Sequence, residues 1–309
     1  MLKILRYRIW LFLILLFFGC KQQAPQSSLE VPNQQLRAYR EITDDLGRKL
    51  KLPLKVERAV SLSPNLTEII FAVGAGDKLV GVTTYCDYPE QAKQIEKIGD
   101  TLRPSLEKIV ALKPDVVFVS TASQLKGFAN TLEQQGITLF VTDPDSFERI
   151  YSSIEKIGEI FQKEEQAREL VDQLKSRVAR VEQRVKDLPK LRVFVQIDKS
   201  LYTVGKNSFI TDLVRKAGGI SVTEELEANY PKLSKETALA LNPEIIILTD
   251  SYDNNEPNEV FRNSDAVKNK RVYTVKADIL SRPGPRIVDA LEQVASLLHP
   301  EVEKCECDK

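Results

Sequence analysis

Ser105-Leu-Glu-Lys-Ile-Val-Ala-Leu-Lys-Pro-Asp-Val-Val-Phe-Val-Ser120 lies without a gap over Ser234-Lys-Glu-Thr-Ala-Leu-Ala-Leu-Asn-Pro-Glu-Ile-Ile-Ile-Leu-Thr249. Ser105 falls on Ser234 and Ser120 on Thr249, an offset of 129 throughout. Ser, Glu, Ala, Leu and Pro are identical, and Asp115/Glu244, Val116/Ile245, Val117/Ile246 and Ser120/Thr249 are similar. Each copy reads as a Ser-capped helix, a Pro break and a buried strand. Two occurrences of one unit predict two lobes of like fold.

Outward from this unit, strands and helices alternate. Strands are read at 58–63, 79–83, 116–119, 136–142, 191–197, 244–249 and 271–275. Helices open near Asn65, with Glu68 as a capping-box partner, and at Ser105, Ser208, Ser234 and Pro285. Such alternation implies parallel sheets covered on both faces. Arg40 to Pro53 alternates around an Asp-Leu-Gly turn, a hairpin signal. From Ser146 to Leu188 there is no strand signal. Ala167, Leu170, Val171, Leu174, Val178, Val181, Val185 and Leu188 recur there at helical steps, predicting one long amphipathic helix between the lobes. The fold class is therefore α/β, with two similar lobes of central parallel sheet joined by one long helix.

Composition restricts the function. The chain has 44 Lys+Arg against 44 Asp+Glu, so it lacks the basic excess of a nucleic-acid binder. It has one His, His299, which excludes multi-imidazole metal sites and argues against Ser-His-Asp and Cys-His catalysis. Gly74-Ala-Gly-Asp-Lys lacks the later glycine of a dinucleotide fingerprint. No enzyme is expected, and no cofactor.

At the start, Lys3, Arg6 and Arg8 precede the apolar run Ile9 to Phe18, and then Gly19-Cys20. That run is too short to span a bilayer, which takes about 20 apolar residues. It reads as a secretory signal. Gly19-Cys20 resembles a lipoprotein box, although Phe17 stands where Leu is usual, and Cys20 is the expected acylated residue. Loss of the three cations leaves 41 positive against 44 negative charges, a net of −3, and removes Trp10, the one tryptophan. The expected divisions are a signal at 1–19, a tether at 20–39, an N-terminal lobe at 40–145, a linking region at 146–188, a C-terminal lobe at 189–298 and a tail at 299–309. Cys305 and Cys307 fall in the tail, and Cys86 reads as a small buried side chain.

Two lobes facing each other make a cleft, and ligands of parallel sheets sit beyond the carboxyl ends of strands. Those ends carry Ser63-Pro64-Asn65, Thr84 to Asp87, Ser120-Thr121, Asp250 to Tyr252 and Ala277-Asp278. They offer hydroxyls, carboxylates and tyrosine faces, which suits recognition.

The run from Val60 to Pro89 resembles the opening of class III periplasmic substrate-binding proteins, which serve ABC importers of vitamin B12, ferric siderophores and haem. The stretches 105–119 and 278–287 are similar too, so the resemblance covers about residues 40–298. Thr83 to Pro89 looks most like the cobalamin-binding branch. The resemblance implies ligand contacts from Ser63, Pro64, Asn65, Tyr85, Ser120, Thr121, Tyr230, Asp250, Asp278 and Arg282. It implies that Glu107 and Glu236 dock on a permease dimer with its ATPase. Each of these glutamates also sits where a carboxylate favours a helix start. Thr101 and Ser120 stand where cobalamin relatives tend to carry Trp; Tyr85, Tyr88, Tyr202, Tyr230 and Tyr252 are the aromatic substitutes. The expectation is a monomeric lipoprotein on the periplasmic side of the envelope, capturing cobalamin or a related corrinoid. Haem or a ferric siderophore is the alternative ligand, and an adhesion or structural lipoprotein on the same fold the alternative class.

Overall fold

The computed structural model describes residues 38–121, 126–251 and 253–301. It opens on an antiparallel hairpin of β1 (Tyr39–Thr43) and β2 (Lys49–Pro53). The Asp44 carboxylate accepts from the N–H groups of Leu46 (3.0 Å) and Arg48 (2.9 Å), and Gly47 takes φ +75° to complete the turn.

The first lobe runs β3 (Ala59–Ser61), α1 (Pro64–Ala72), β4 (Leu79–Val82), α2 (Leu106–Ala111), β5 (Val116–Ser120), α3 (Lys126–Gln134) and β6 (Leu139–Thr142). Two helices follow, α4 (Phe147–Phe161) and α5 (Glu164–Val185). The second lobe runs β7 (Leu191–Gln196), α6 (Phe209–Lys216), β8 (Gly219–Ser221), α7 (Lys235–Leu241), β9 (Ile245–Asp250), α8 (Asp265–Lys268), β10 (Val272–Lys276), α9 (Ala277–Leu280) and α10 (Ile287–Leu298).

Each lobe holds a four-stranded parallel sheet, β4-β3-β5-β6 and β8-β7-β9-β10. Both have the lobe's first strand between its second and third. Every residue of β5 and of β6 is buried, as a sheet covered on both faces requires.

The repeat extends into the hydrogen bonds. The Ser105 hydroxyl accepts from Lys108 N–H (3.3 Å), and the Ser234 hydroxyl from Thr237 N–H (3.1 Å). After each helix one residue is left-handed, Lys113 (φ 46°) and Asn242 (φ 36°), just before Pro114 and Pro243. Asp115 N–H donates to Arg58 O (2.8 Å), and Glu244 N–H to Arg192 O (2.9 Å). The acid returns the contact: Asp115 Oδ2 accepts from Arg58 N–H (3.0 Å), Glu244 Oε2 from Arg192 N–H (2.8 Å). Each arginine then donates its side chain to the end of the preceding helix, Arg58 to Leu112 O and Arg192 to Leu241 O.

Three expectations change. The linking region is two helices, broken at Gln162 (φ 57°) and Lys163. Gly158 permits their close approach, because a Cβ there would lie 2.4 Å from the Ala167 Cβ. The apolar stripe from Ala167 to Val185 does form one face of α5. Second, β8 is a strand that the sequence reading missed, since three residues beginning at a glycine carry no alternation. Third, Asn65 and Glu68 do not form a capping box. The cap position of α1 is Ser63, with Pro64 as its first residue, and Glu68 is turned to other partners.

One apolar core runs from α1 and β5 through α4 and α5 to β7, β9 and α10. Separate clusters fill the far side of each sheet.

Candidate functional site

The carboxyl ends of β4 and β10 lead into segments that meet. Glu68, on α1, is buried, with its side chain only 2% exposed. Its carboxylate accepts from Arg286 Nη2 (2.6 Å) and Nε (2.9 Å) and from Arg282 Nη1 (3.2 Å). Arg282 also pairs with Asp87, beyond β4 (2.8 Å), and with Asp278, one turn back (2.6 Å). Arg286 lies over the Tyr88 ring, 4.0 Å from its centroid, a cation–π contact. The Asn65 amide donates to Pro283 O (3.2 Å), and Gly284 faces the Asn65 backbone. The lobes are therefore joined at this edge by a charged cluster beside a tight backbone contact.

Charge neighbours set the proton affinities. Burial works upward on Asp87, but the hydrogen bond and charge of Arg282 win and hold its carboxyl below the usual range. The bonds from Glu68 raise Arg286, against burial. Both arginines are thus fully charged and committed to carboxylates.

In the second lobe the segments around residues 202 and 230 form a short antiparallel ladder. Thr203 N–H donates to Pro231 O (2.9 Å), Gly205 N–H to Asn229 O (2.9 Å) and Leu233 N–H to Leu201 O (3.0 Å). Tyr202 stands opposite Lys232. By the two-residue period, Tyr202, Tyr230 and Lys232 share one face. The Lys232 ammonium lies 5.4 Å from the Tyr202 ring centroid. Tyr202 is 40% and Tyr230 38% exposed. Burial pushes the Tyr230 phenol up, and a hydrogen bond with Ser208 opposes the shift. Gly205 is required here, since a Cβ would lie 1.9 Å from Ala228 O.

The other expected positions fall into three groups. Tyr85 is open at 57%, Asp250 is exposed at the end of β9, and Thr121 is exposed with its hydroxyl on Asp143. Ser63, Asn65 and Ser120 are buried, Pro64 partly so, and the Ser63 hydroxyl donates to Asn65 Oδ1. Glu107 and Glu236 are exposed, in the first turns of α2 and α7. The Glu236 carboxyl is held low by its own backbone N–H and by Ser234. Cys86 is buried with its sulfur 3.1 Å from the Thr67 and Thr83 hydroxyls, and burial pushes its thiol up. Cys20, Tyr252, Cys305 and Cys307 lie outside the described residues.

Sequence reasoning missed Glu68, Asp87 and Arg286 as one cluster. A signal existed: one acid and two bases, Asp278, Arg282 and Arg286, crowd the short segment around Pro283-Gly284-Pro285. Among the described residues, no group of three or more His, Cys, Asp or Glu is placed to hold a metal ion.

Comparison with known proteins bears on this geometry. Residues 60–279 match the model of the periplasmic binding protein family. An uncharacterized ABC transporter substrate-binding lipoprotein, YvrC, of Bacillus subtilis is 32% identical over 97% of this chain and 99% of its own length. A vitamin B12-binding protein of Vibrio cholerae is 30% identical, covering 81% of this chain and 91% of that protein. Among solved structures, the periplasmic vitamin B12-binding protein BtuF of Vibrio cholerae superposes with a TM-score of 0.71 at 28% identity, over 82% of this chain and all of that one.

Proposed function

This chain belongs to the periplasmic binding protein family, and we propose that it captures a corrinoid, with cobalamin as the ligand, between its two lobes. Its fold is the class III fold of that family, and it is a substrate-binding component of an ABC importer rather than an enzyme. The importer supplies a permease and an ATPase as partners.

One observation carries the ligand reading. At the lobe junction Arg282 and Arg286 face Glu68, Asp87 and Asp278, so the cluster has no positive charge to spare. Haem brings propionates and ferric catecholates carry several negative charges, and both favour a rim with several free cations, whereas the tyrosine face carries one, Lys232. Cyanocobalamin is neutral overall and presents broad apolar faces with amide-bearing edges. Tyr85, Tyr202 and Tyr230 offer open rings for such faces, and Asp250 and Thr121 offer polar groups for the edges. Ser63, Pro64, Asn65 and Ser120 support the floor from buried positions, while Asp278 and Arg282 border it. The likeness to vitamin B12-binding proteins supports the same reading. Glu107 and Glu236 are the proposed permease contacts. Residues 1–19 serve as signal, Cys20 as the lipid attachment site and 20–39 as tether, placing the protein on the periplasmic side of the envelope.

Titration calorimetry with the full-length protein tests the ligand. Cyanocobalamin binds at micromolar protein, and haemin and a ferric catecholate do not. The double variant Tyr202→Ala, Tyr230→Ala weakens cobalamin by at least about tenfold, corresponding to ~1.4 kcal/mol. Binding of haemin with no response to cyanocobalamin would overturn the reading.

A further inference from the structure

The two docking glutamates begin a longer matched surface. On α2 the exposed residues include Glu107, Val110 and Ala111; on α7 they include Glu236, Leu239 and Ala240. Each residue of the first set is 129 positions from its counterpart. Val110 is 44% exposed and Leu239 61%. Three residues after each glutamate, the aliphatic side chain shares its helix face. Between these positions the two helices have diverged, with exposed Lys108 standing against exposed Thr237.

Folding does not explain the likeness. The position that both lobes bury is the intervening one, Ile109 and Ala238, each fully buried. An exposed aliphatic is neutral for the fold, so two lobes that drifted apart at neighbouring exposed positions had no internal reason to keep one at this place. Charge narrows the occupant. Neither Glu107 nor Glu236 forms a salt bridge among the described residues. Each patch therefore presents an exposed carboxylate outside any salt bridge of the described residues, with Lys235 as a charge neighbour of Glu236, and an aliphatic group one turn on.

We propose that Val110 and Leu239, with Ala111 and Ala240, are apolar anchors for the importer's permease, each seated beside a basic side chain that meets Glu107 or Glu236. The inference rests on the docking role proposed above for those glutamates. The anchors fill shallow apolar depressions, and the glutamates orient them. Partners dock most tightly where an apolar contact is shielded by a charged pair at its rim.

The test is biolayer interferometry of the full-length protein against the permease–ATPase complex of its own import system in nanodiscs. Val110→Ser weakens the complex about fivefold, Leu239→Ser about tenfold, and the pair about fiftyfold, if distant sites add. Thermal unfolding and cyanocobalamin affinity stay at wild-type values, because both side chains are exposed. If Glu107→Arg with Glu236→Arg abolishes binding and the serine pair binds like wild type, the anchors are wrong and the glutamate docking stands. If the wild-type protein does not bind the complex, both fall. A concentration-dependent dimer in sedimentation that Leu239→Ser abolishes would assign the surface to a second copy of this chain and overturn the permease as occupant.

Discussion

The first helices of the two lobes start alike and then part. α1 and α6 each follow a Ser at the cap position, Ser63 and Ser208. Ser208 accepts from Ile210 N–H (3.2 Å), whereas the Ser63 hydroxyl turns aside to Asn65 and caps nothing. Five residues after each Ser stands a buried side chain, Glu68 in one lobe and Leu213 in the other. Leu213 joins the shared apolar core; Glu68 needs Arg282 and Arg286 from the opposite lobe. At this helix the lobes share the Ser at the cap position and part where Glu68 serves the junction.

The largest test of that difference gives the first lobe the second lobe's residue. Glu68→Leu keeps an apolar filling but strips two partly buried guanidiniums of their shared carboxylate. Breaking one side of a buried charge cluster costs about 3 kcal/mol or more, a fall in melting temperature of roughly 6–12 °C for a domain of this size. Circular dichroism melts of wild type and variant measure it. An unchanged melt would mean that the junction contributes nothing to stability and that the contrast with Leu213 is incidental.

The architecture was legible because it rests on periodic and local signals. The offset repeat announced two lobes, and the stripe from Ala167 to Val185 announced α5. What escaped had no local signature. β8 is too short to show alternation, and the break at Gln162 needs a left-handed residue that is not glycine. Glu68 followed Asn65 at capping-box spacing, so the local reading claimed it for the helix, while its partners lie 214 and 218 residues away. The tyrosines proposed for the ligand, Tyr202 and Tyr230, were picked by type and by resemblance. Their arrangement depends on the ladder at Thr203–Pro231, which couples two loops that no periodicity links.

A second test concerns what the lobes share. Arg58 and Arg192 hold equivalent helix ends through Leu112 O and Leu241 O. Arg58→Ala and Arg192→Ala should each cost about 1 kcal/mol, the worth of one exposed charge-assisted bond. Urea unfolding measures both. Costs that differ by more than about twofold would break the equivalence of the lobes at the one interaction where it is most detailed.

The smallest test separates two residues under one strain. Lys113 and Asn242 both take positive φ ahead of a proline. A side chain with a Cβ resists that region by roughly 1 kcal/mol, and Asn resists less because its short amide tolerates it. Glycine removes the resistance but adds freedom to the unfolded chain, which offsets part of the gain. Lys113→Gly should therefore stabilise by about 0.5 kcal/mol, whereas Asn242→Gly, which also loses the two side-chain hydrogen bonds that Asn242 makes with Asp265, should not stabilise. The same urea titration resolves the pair when the two are compared directly. If Asn242→Gly gains as much as Lys113→Gly, asparagine is not the relieved version of this turn. The two lobes would then carry the strain equally.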